Sequence, residues 1–239
     1  MRRREHANWK LCSAYTMGRR KSTEKARNIV VRQFLHCAHE LLEIEGFEQV
    51  STRKVASCVG FTSPNLYLYF QDQDELLMLA GINLWETCCR LLCTCLTPEL
   101  SDSDAYRKIW SILSRCAMES PAYFFHFLFG HHSIPLSKMI DRYYTEIYPT
   151  ATAASDGLSG IMQRYSDPRE LLMPPFAAMC RQSGISEADS AVLNECIFSY
   201  FRGLLEALVL SPETLTAEAQ QAQMMHAVQL LTGMISKNN

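Results

Sequence analysis

The sequence predicts an all-α protein, a three-helix helix-turn-helix unit followed by a larger helical region. Three observations carry this expectation. Apolar residues recur three and four positions apart along most of the 239 residues, and few segments alternate with period two. Apolar residues make up 48% of the chain, enough for one large or two modest cores. Residues 46–70, GFEQVSTRKVASCVGFTSPNLYLYF, place two short helix starts around one glycine turn.

The elements follow in order. Val30, Phe34, Cys37, Ala38, Leu41 and Leu42 form one stripe and predict a first helix over 23–45. Gly46 stands where a left-handed residue ends it. Ser51 is an N-cap for a second helix over 52–58, with Val55, Ala56 and Val59 inward. Gly60 allows a sharp turn, and Phe61 anchors it in the core. Thr62 caps a third helix whose first turn holds Pro64, where the missing N–H costs little. Leu66 and Phe70 point inward, and Ser63, Asn65 and Tyr69 lie on more exposed faces. Asp72 to Glu75 resembles a capping box that opens a fourth helix reaching about residue 96.

Beyond it, helices are expected over 103–119, 122–129 and 135–148, then a looser stretch around Pro149 and Gly157. Another starts near Pro168 and is interrupted or kinked at Pro174-Pro175. Two long helices close the chain, over 187–210 and 217–235. The first carries Leu193, Ile197, Tyr200, Leu204 and Leu208 on one face, the second Met224, Val228, Leu231 and Ile235. Such an antiparallel pair suits either a four-helix bundle with a symmetry mate or the capping of its own core.

Charge is unevenly spread. The first 70 residues carry a net +6 and the remainder −8, within an overall −2. A basic front and acidic rear point to a polyanion at the front only, with a solvated basic tail as the plain alternative. No apolar run approaches the ~20 residues a membrane span requires, and the start lacks the apolar stretch of a secretion signal. Met17, followed by Gly18-Arg19-Arg20-Lys21, is a second candidate start, which leaves residues 1–16 as an extension. The ten cysteines contain no Cys-x-x-Cys pair and are expected to be reduced in a cytoplasmic protein.

Gly46-Phe47, Ser51-Thr52-Arg53-Lys54-Val55-Ala56, Gly60, Leu66-Tyr67-Leu68-Tyr69-Phe70 and Asp74-Glu75-Leu76-Leu77 together resemble the TetR family of one-component transcriptional regulators. The likeness spans residues 28–80 without insertion. It implies an N-terminal DNA-binding domain at 22–71 behind a flexible basic arm at 1–21, and a ligand-binding and dimerisation domain at 72–239. It further implies a homodimer formed through the last two helices on a palindromic double-stranded operator, released by a small-molecule inducer, with no cofactor. Thr52, Arg53, Tyr67 and Tyr69 are the implied DNA contacts.

Physical chemistry adds to that set. Arg53 suits a phosphate or a guanine edge, and Ser63 and Asn65 are base-reading candidates, Asn65 because its amide pairs with adenine. Lys54 and the arm Arg19-Arg20-Lys21 add sequence-independent attraction. Gln73 stands where the family usually has a phosphate-binding lysine.

For the ligand, Trp110, Tyr123, Phe127, Tyr143 and Tyr144 are pocket candidates in an aromatic-rich middle, which suits a flat or lipophilic molecule; rings at helical spacing also serve as plain core. His126, His131 and His132 lack a carboxylate or cysteine at ligand spacing, so no metal is expected. Cys88, Cys89, Cys93 and Cys95 suit a redox sensor or a thiolate–metal site, against the plain reading of buried small hydrophobes. Two rival classes remain. An enzyme is disfavoured because Gly157-Leu158-Ser159-Gly160 falls short of a nucleophile elbow. The other is a helix-turn-helix that acts through protein–protein contact.

Overall fold

The computed structural model describes residues 8–149, 162 and 166–237, with side chains from Thr23 to Ser236 within these. Residues 157–160 and the side chains of Arg19, Arg20 and Lys21 lie outside the described residues. The described residues hold eleven α-helices, a short 3-10 turn at Phe47–Gln49, a π turn at Tyr143–Ile147, and no strand. The chain divides into two compact units, one ending at Leu76 and the other beginning at Leu77.

The first unit is built on α1 (Asn8–Glu45). It starts fifteen residues before the position expected from the stripe, since residues 8–22 contain no proline and one glycine and nothing there stops a helix. Val31, Phe34, Leu35, Cys37 and Ala38 are its buried face, so the stripe includes Val31 and Leu35, while Leu41 and Leu42 are half-buried. Gly46 ends the helix at φ 82°, as expected.

α2 (Thr52–Cys58) is capped by Ser51, whose Oγ accepts from Lys54 N at 3.3 Å. It closes on a Schellman turn: Phe61 N–H donates to Ala56 O at 2.8 Å and Gly60 N–H to Ser57 O at 3.1 Å, with Gly60 at φ 79°. α3 (Ser63–Leu66) is one turn long and continues as tighter turns through Tyr69, with Leu66 and Phe70 buried. Phe34 is the hub of this core, its ring centre 5.3 Å from Phe61, 5.6 Å from Tyr69 and 6.0 Å from Phe70. Such a fully buried aromatic contributes about 1.5–3 kcal/mol of apolar burial. A disulfide joins Cys37 on α1 to Cys58 at the end of α2. This corrects the expectation that all cysteines are reduced: packing α2 across α1 sets the two Cα atoms 6.5 Å apart, within bonding range.

The single long fourth helix is also corrected. α4 (Gln73–Ala80) and α5 (Ile82–Cys95) are separate and bent by 44° at Gly81. The start of α4 is as expected, with Asp72 Oδ1 accepting from Glu75 N at 2.8 Å and Glu75 Oε2 from Gln71 N at 2.6 Å. The break has a physical cause. The Tyr123 ring lies over Gly81 so closely that a Cβ there would stand 2.3 Å from Cε2, and the Tyr123 hydroxyl donates to Met78 O at 3.3 Å.

The second unit is organised around α6 (Asp102–Glu119), which is buried on most of its circumference, with Tyr106, Ile109, Trp110, Leu113 and Ala117 among its buried residues. Around it pack α5, α7 (Pro121–Phe129), α9 (Pro168–Gln182), α10 (Glu187–Leu210) and α11 (Ala217–Lys237). α8 (Leu136–Arg142) leads into the π turn, which shortens the helix expected over 135–148.

α9 runs as one helix through Pro174-Pro175, so the expected interruption is not there. Leu172, Phe176, Met179 and Cys180 are buried on its packed face and offset the lost backbone bonds. α10 has the expected bounds, capped by Ser186, whose Oγ accepts from Asp189 N at 3.1 Å. Its buried face includes Phe198 and Phe201, whereas Tyr200, expected inward, is exposed.

Candidate nucleic-acid interface

α2 and α3 present the candidate site. Val55 and Ala56 face the core of the first unit, and that seats α2 with Arg53 exposed and Thr52 half-buried at its first turn. The small side chain of Ala56 lets α3 cross closely. Leu66 and Phe70 are fully buried, which turns Asn65, Tyr67 and Leu68 outward; Tyr67 is 50% exposed. Ser63 is half-buried at the start of α3, and Thr62 makes no side-chain cap there. Arg53, Asn65 and Tyr67 are thus the most available of the expected residues: a guanidinium, an amide and a phenol on two helices packed together.

The other three expected contacts are held differently. Lys54 Nζ pairs with Glu45 Oε2 at 2.5 Å and donates to Gln49 O at 2.9 Å, so its charge is turned back to the end of α1. Gln73 donates through Nε2 to Val50 O at 3.1 Å and ties the first turn of α4 to the loop before α2. Tyr69 is half-buried: its ring packs on Phe34 and lies 5.3 Å beneath the Arg27 guanidinium.

Arg27 is the residue that sequence reasoning missed. Its Nη2 donates to Leu68 O at 2.6 Å, 41 positions away, and its charge sits over Tyr69, beside the exposed end of α3. The only signal of it in the sequence is the basic excess of the first 70 residues. Arg27, Thr23, Val30, Leu68 and Tyr69 also line an open groove of about 610 Å³.

Comparison with known proteins agrees with this geometry. Residues 34–78 match the family model described as bacterial regulatory proteins, tetR family. That part of the chain is similar to this family. The matched span holds the last third of α1, all of α2 and α3, and most of α4, which is where the candidate site lies. No curated protein matches the chain. Two solved structures are similar to it: a TetR-like transcriptional regulator from Rhodococcus sp. RHA1 and a putative tetR family transcription regulator from Shewanella sp. PV-4. The first shares 16% identity at a TM-score of 0.45, covering 84% of this chain and 95% of that one. The second shares 15% at 0.46, covering 85% and 95%.

The five ligand candidates fall in three ring groups of the larger unit. Tyr123 and Phe127 stack at 5.7 Å and join Trp85 and Phe124. Trp110 packs with Tyr106, Phe198 and Phe201. Tyr143 and Tyr144 meet at 5.1 Å. Tyr123, Phe127, Trp110 and Tyr144 are buried, and Tyr143 is half-buried.

Tyr144 donates to Glu86 Oε2 at 2.5 Å, and Glu86 in turn pairs with Arg90. Burial, then that carboxylate, pushes the Tyr144 phenol up, and burial takes Tyr143 up to about 12. The Trp85 indole N–H finds no acceptor among the described residues. A second open groove, of about 510 Å³, is lined by Cys95, Leu100, Arg107, Lys108, Met225 and their neighbours, and includes none of the five. Among the described residues no three of His, Cys, Asp and Glu are grouped to hold a metal ion, and no single helix is long and apolar enough to cross a membrane.

Proposed function

We propose that this regulator binds a palindromic operator as a homodimer and represses transcription until a small molecule releases it, acting in the cytoplasm. The observation that carries the DNA half is the outward set Arg53, Asn65 and Tyr67 on helices seated by Val55, Ala56, Leu66 and Phe70. In this arrangement α3 enters the major groove and α2 braces against the backbone. Arg53 and Tyr67 bond phosphate, and Asn65 reads a base edge. Arg27 supplies a further positive charge and holds the end of α3.

The dimer is supported by an unpartnered apolar stripe on the last two helices. Val192, Cys196, Tyr200, Gly203 and Leu210 recur at helical spacing on the exposed face of α10, and Leu230 and Met234 on that of α11. Exposed apolar residues repeated along two adjacent helices match an isologous interface between identical subunits. The ligand half is supported by the aromatic-rich larger unit and the Trp85 N–H, which an acceptor on an inducer would satisfy.

A mobility-shift assay on DNA upstream of the protein's own gene, with and without flat lipophilic compounds, tests the reading. A shift that one compound abolishes is the expected result. No shift with any upstream fragment would remove the operator reading in favour of protein–protein contact.

A further inference from the structure

Cys37 and Cys58 have no part in the DNA contacts described above. Cys37 lies about two turns before the end of α1 and is buried, while Cys58 is the last residue of α2 and is exposed. Their bond therefore joins an exposed residue to a buried one. It fastens α1 to the last turn of α2, immediately before the Gly60 turn that launches α3. The 21-residue separation it closes contains the Gly46 turn and all of α2.

A protein that works on chromosomal DNA works where thiol systems keep cysteines reduced, and a disulfide in that setting is one that forms and opens. Oxidant and reductant both reach Cys58, and Cys37 is placed to resolve it.

We propose that Cys37 and Cys58 form a reversible redox site that takes a hydroperoxide and sets how firmly α2 and its turn hold α3. The proposal rests on the DNA-binding reading above. The Cys58 thiolate attacks the peroxide oxygen, becomes a sulfenic acid and releases hydroxide or an alkoxide, which takes up a proton. The Cys37 thiol then attacks the Cys58 sulfur, and water leaves as the disulfide forms. The two electrons given up by the sulfurs are those that reduce the peroxide. Two equivalents of a small thiol reverse it: one opens the bond as a mixed disulfide at exposed Cys58, and the second releases that thiol as its own disulfide. The bonded state is the firm, operator-binding one.

The test uses the full chain, reduced with dithiothreitol, desalted, and treated with hydrogen peroxide or, in a parallel arm, with oxidised glutathione. Differential alkylation with peptide mapping reads the linkage, and melting and operator mobility shift are measured in each state. Peroxide is expected to link Cys37 to Cys58 and raise the melting midpoint of the first unit by about 10 °C or more. It is also expected to tighten operator binding by about fivefold or more, with dithiothreitol reversing all three. Cys58→Ser should hold both readouts at their reduced values under peroxide, and Cys37→Ala should do the same.

No linkage in either arm, or equal operator affinity in both states, overturns the proposal. Linkage by glutathione alone overturns the peroxide assignment. If neither state shifts DNA, the operator reading fails, and linkage with the melting shift still decides the redox pair.

Discussion

Gly81→Ala is expected to destabilise the larger unit, although alanine favours helices over glycine. The added Cβ stands 2.3 Å from Tyr123 Cε2 and 2.6 Å from Cδ2, against an ordinary contact of at least 3.4 Å, so the ring must yield by more than an ångström. It has little room. Tyr123 is 4% exposed, its ring centre is 5.6 Å from Phe124 and 5.7 Å from Phe127, and its hydroxyl is bonded to Met78 O. Overpacking of this kind costs about 1–3 kcal/mol. Losing the buried hydroxyl bond adds about 1 kcal/mol, and at φ −95° the smaller freedom of alanine in the unfolded chain returns about 0.4–1 kcal/mol. The net loss is about 1–3 kcal/mol, which in a unit of this size lowers the melting midpoint by about 2–12 °C.

Thermal unfolding of the full chain followed by circular dichroism reads this directly. In a Tyr123→Leu background the obstructing ring edge is gone, and Gly81→Ala should then be neutral or slightly stabilising. If Gly81→Ala matched the wild type, or lost as much stability in both backgrounds, the account of the α4–α5 bend would be refuted. Tyr123 would then regain its place as a ligand candidate.

The remaining expectations concern other parts of the molecule. Lys54→Ala should weaken operator binding by less than about threefold, because its ammonium is engaged with Glu45 and Gln49 and exposed ion pairs contribute about 0–1 kcal/mol; titrating labelled operator by anisotropy checks it. Replacing both Tyr200 and Leu230 by aspartate places charges on the exposed stripe of α10 and α11 and should convert dimer to monomer, read by light scattering, with the melting midpoint little changed. At high pH the larger unit should lose stability. Tyr143 titrates at about 12 when folded against its ordinary 10, so its contribution is complete below pH 10 and is lost as pH rises through 12. Melting curves over that window should be less steep with pH in Tyr143→Phe.

The first unit was legible in the sequence because its signals are local. Ser51, Gly60 and Asp72 mark caps and turns by their own chemistry, and α2 falls at the expected 52–58. What local signals do not hold is a partner far along the chain. Arg27 meets Leu68 across 41 residues, Cys37 meets Cys58 through the crossing of two helices, and Gln73 meets Val50. The same reason hid the bend at Gly81, which depends on Tyr123 from α7. Aromatic content in the middle of the chain was plain, but composition does not distinguish a ring that lines a pocket from one that wedges a helix break. On α10, periodicity found the helix and rotated its face, since Tyr200 and Phe201 are adjacent and comparably apolar, and the exposed stripe is itself apolar.

The central claim is that α2 and α3 bind operator DNA through Arg53 and Tyr67. It is tested most directly by the equilibrium affinity of the Arg53→Ala/Tyr67→Phe double variant for the upstream operator, with melting confirming that the fold is intact. Each lost contact is worth about 1–3 kcal/mol, so the account predicts binding weakened by about 25-fold or more. A double variant that bound the operator as tightly as the wild type would contradict it.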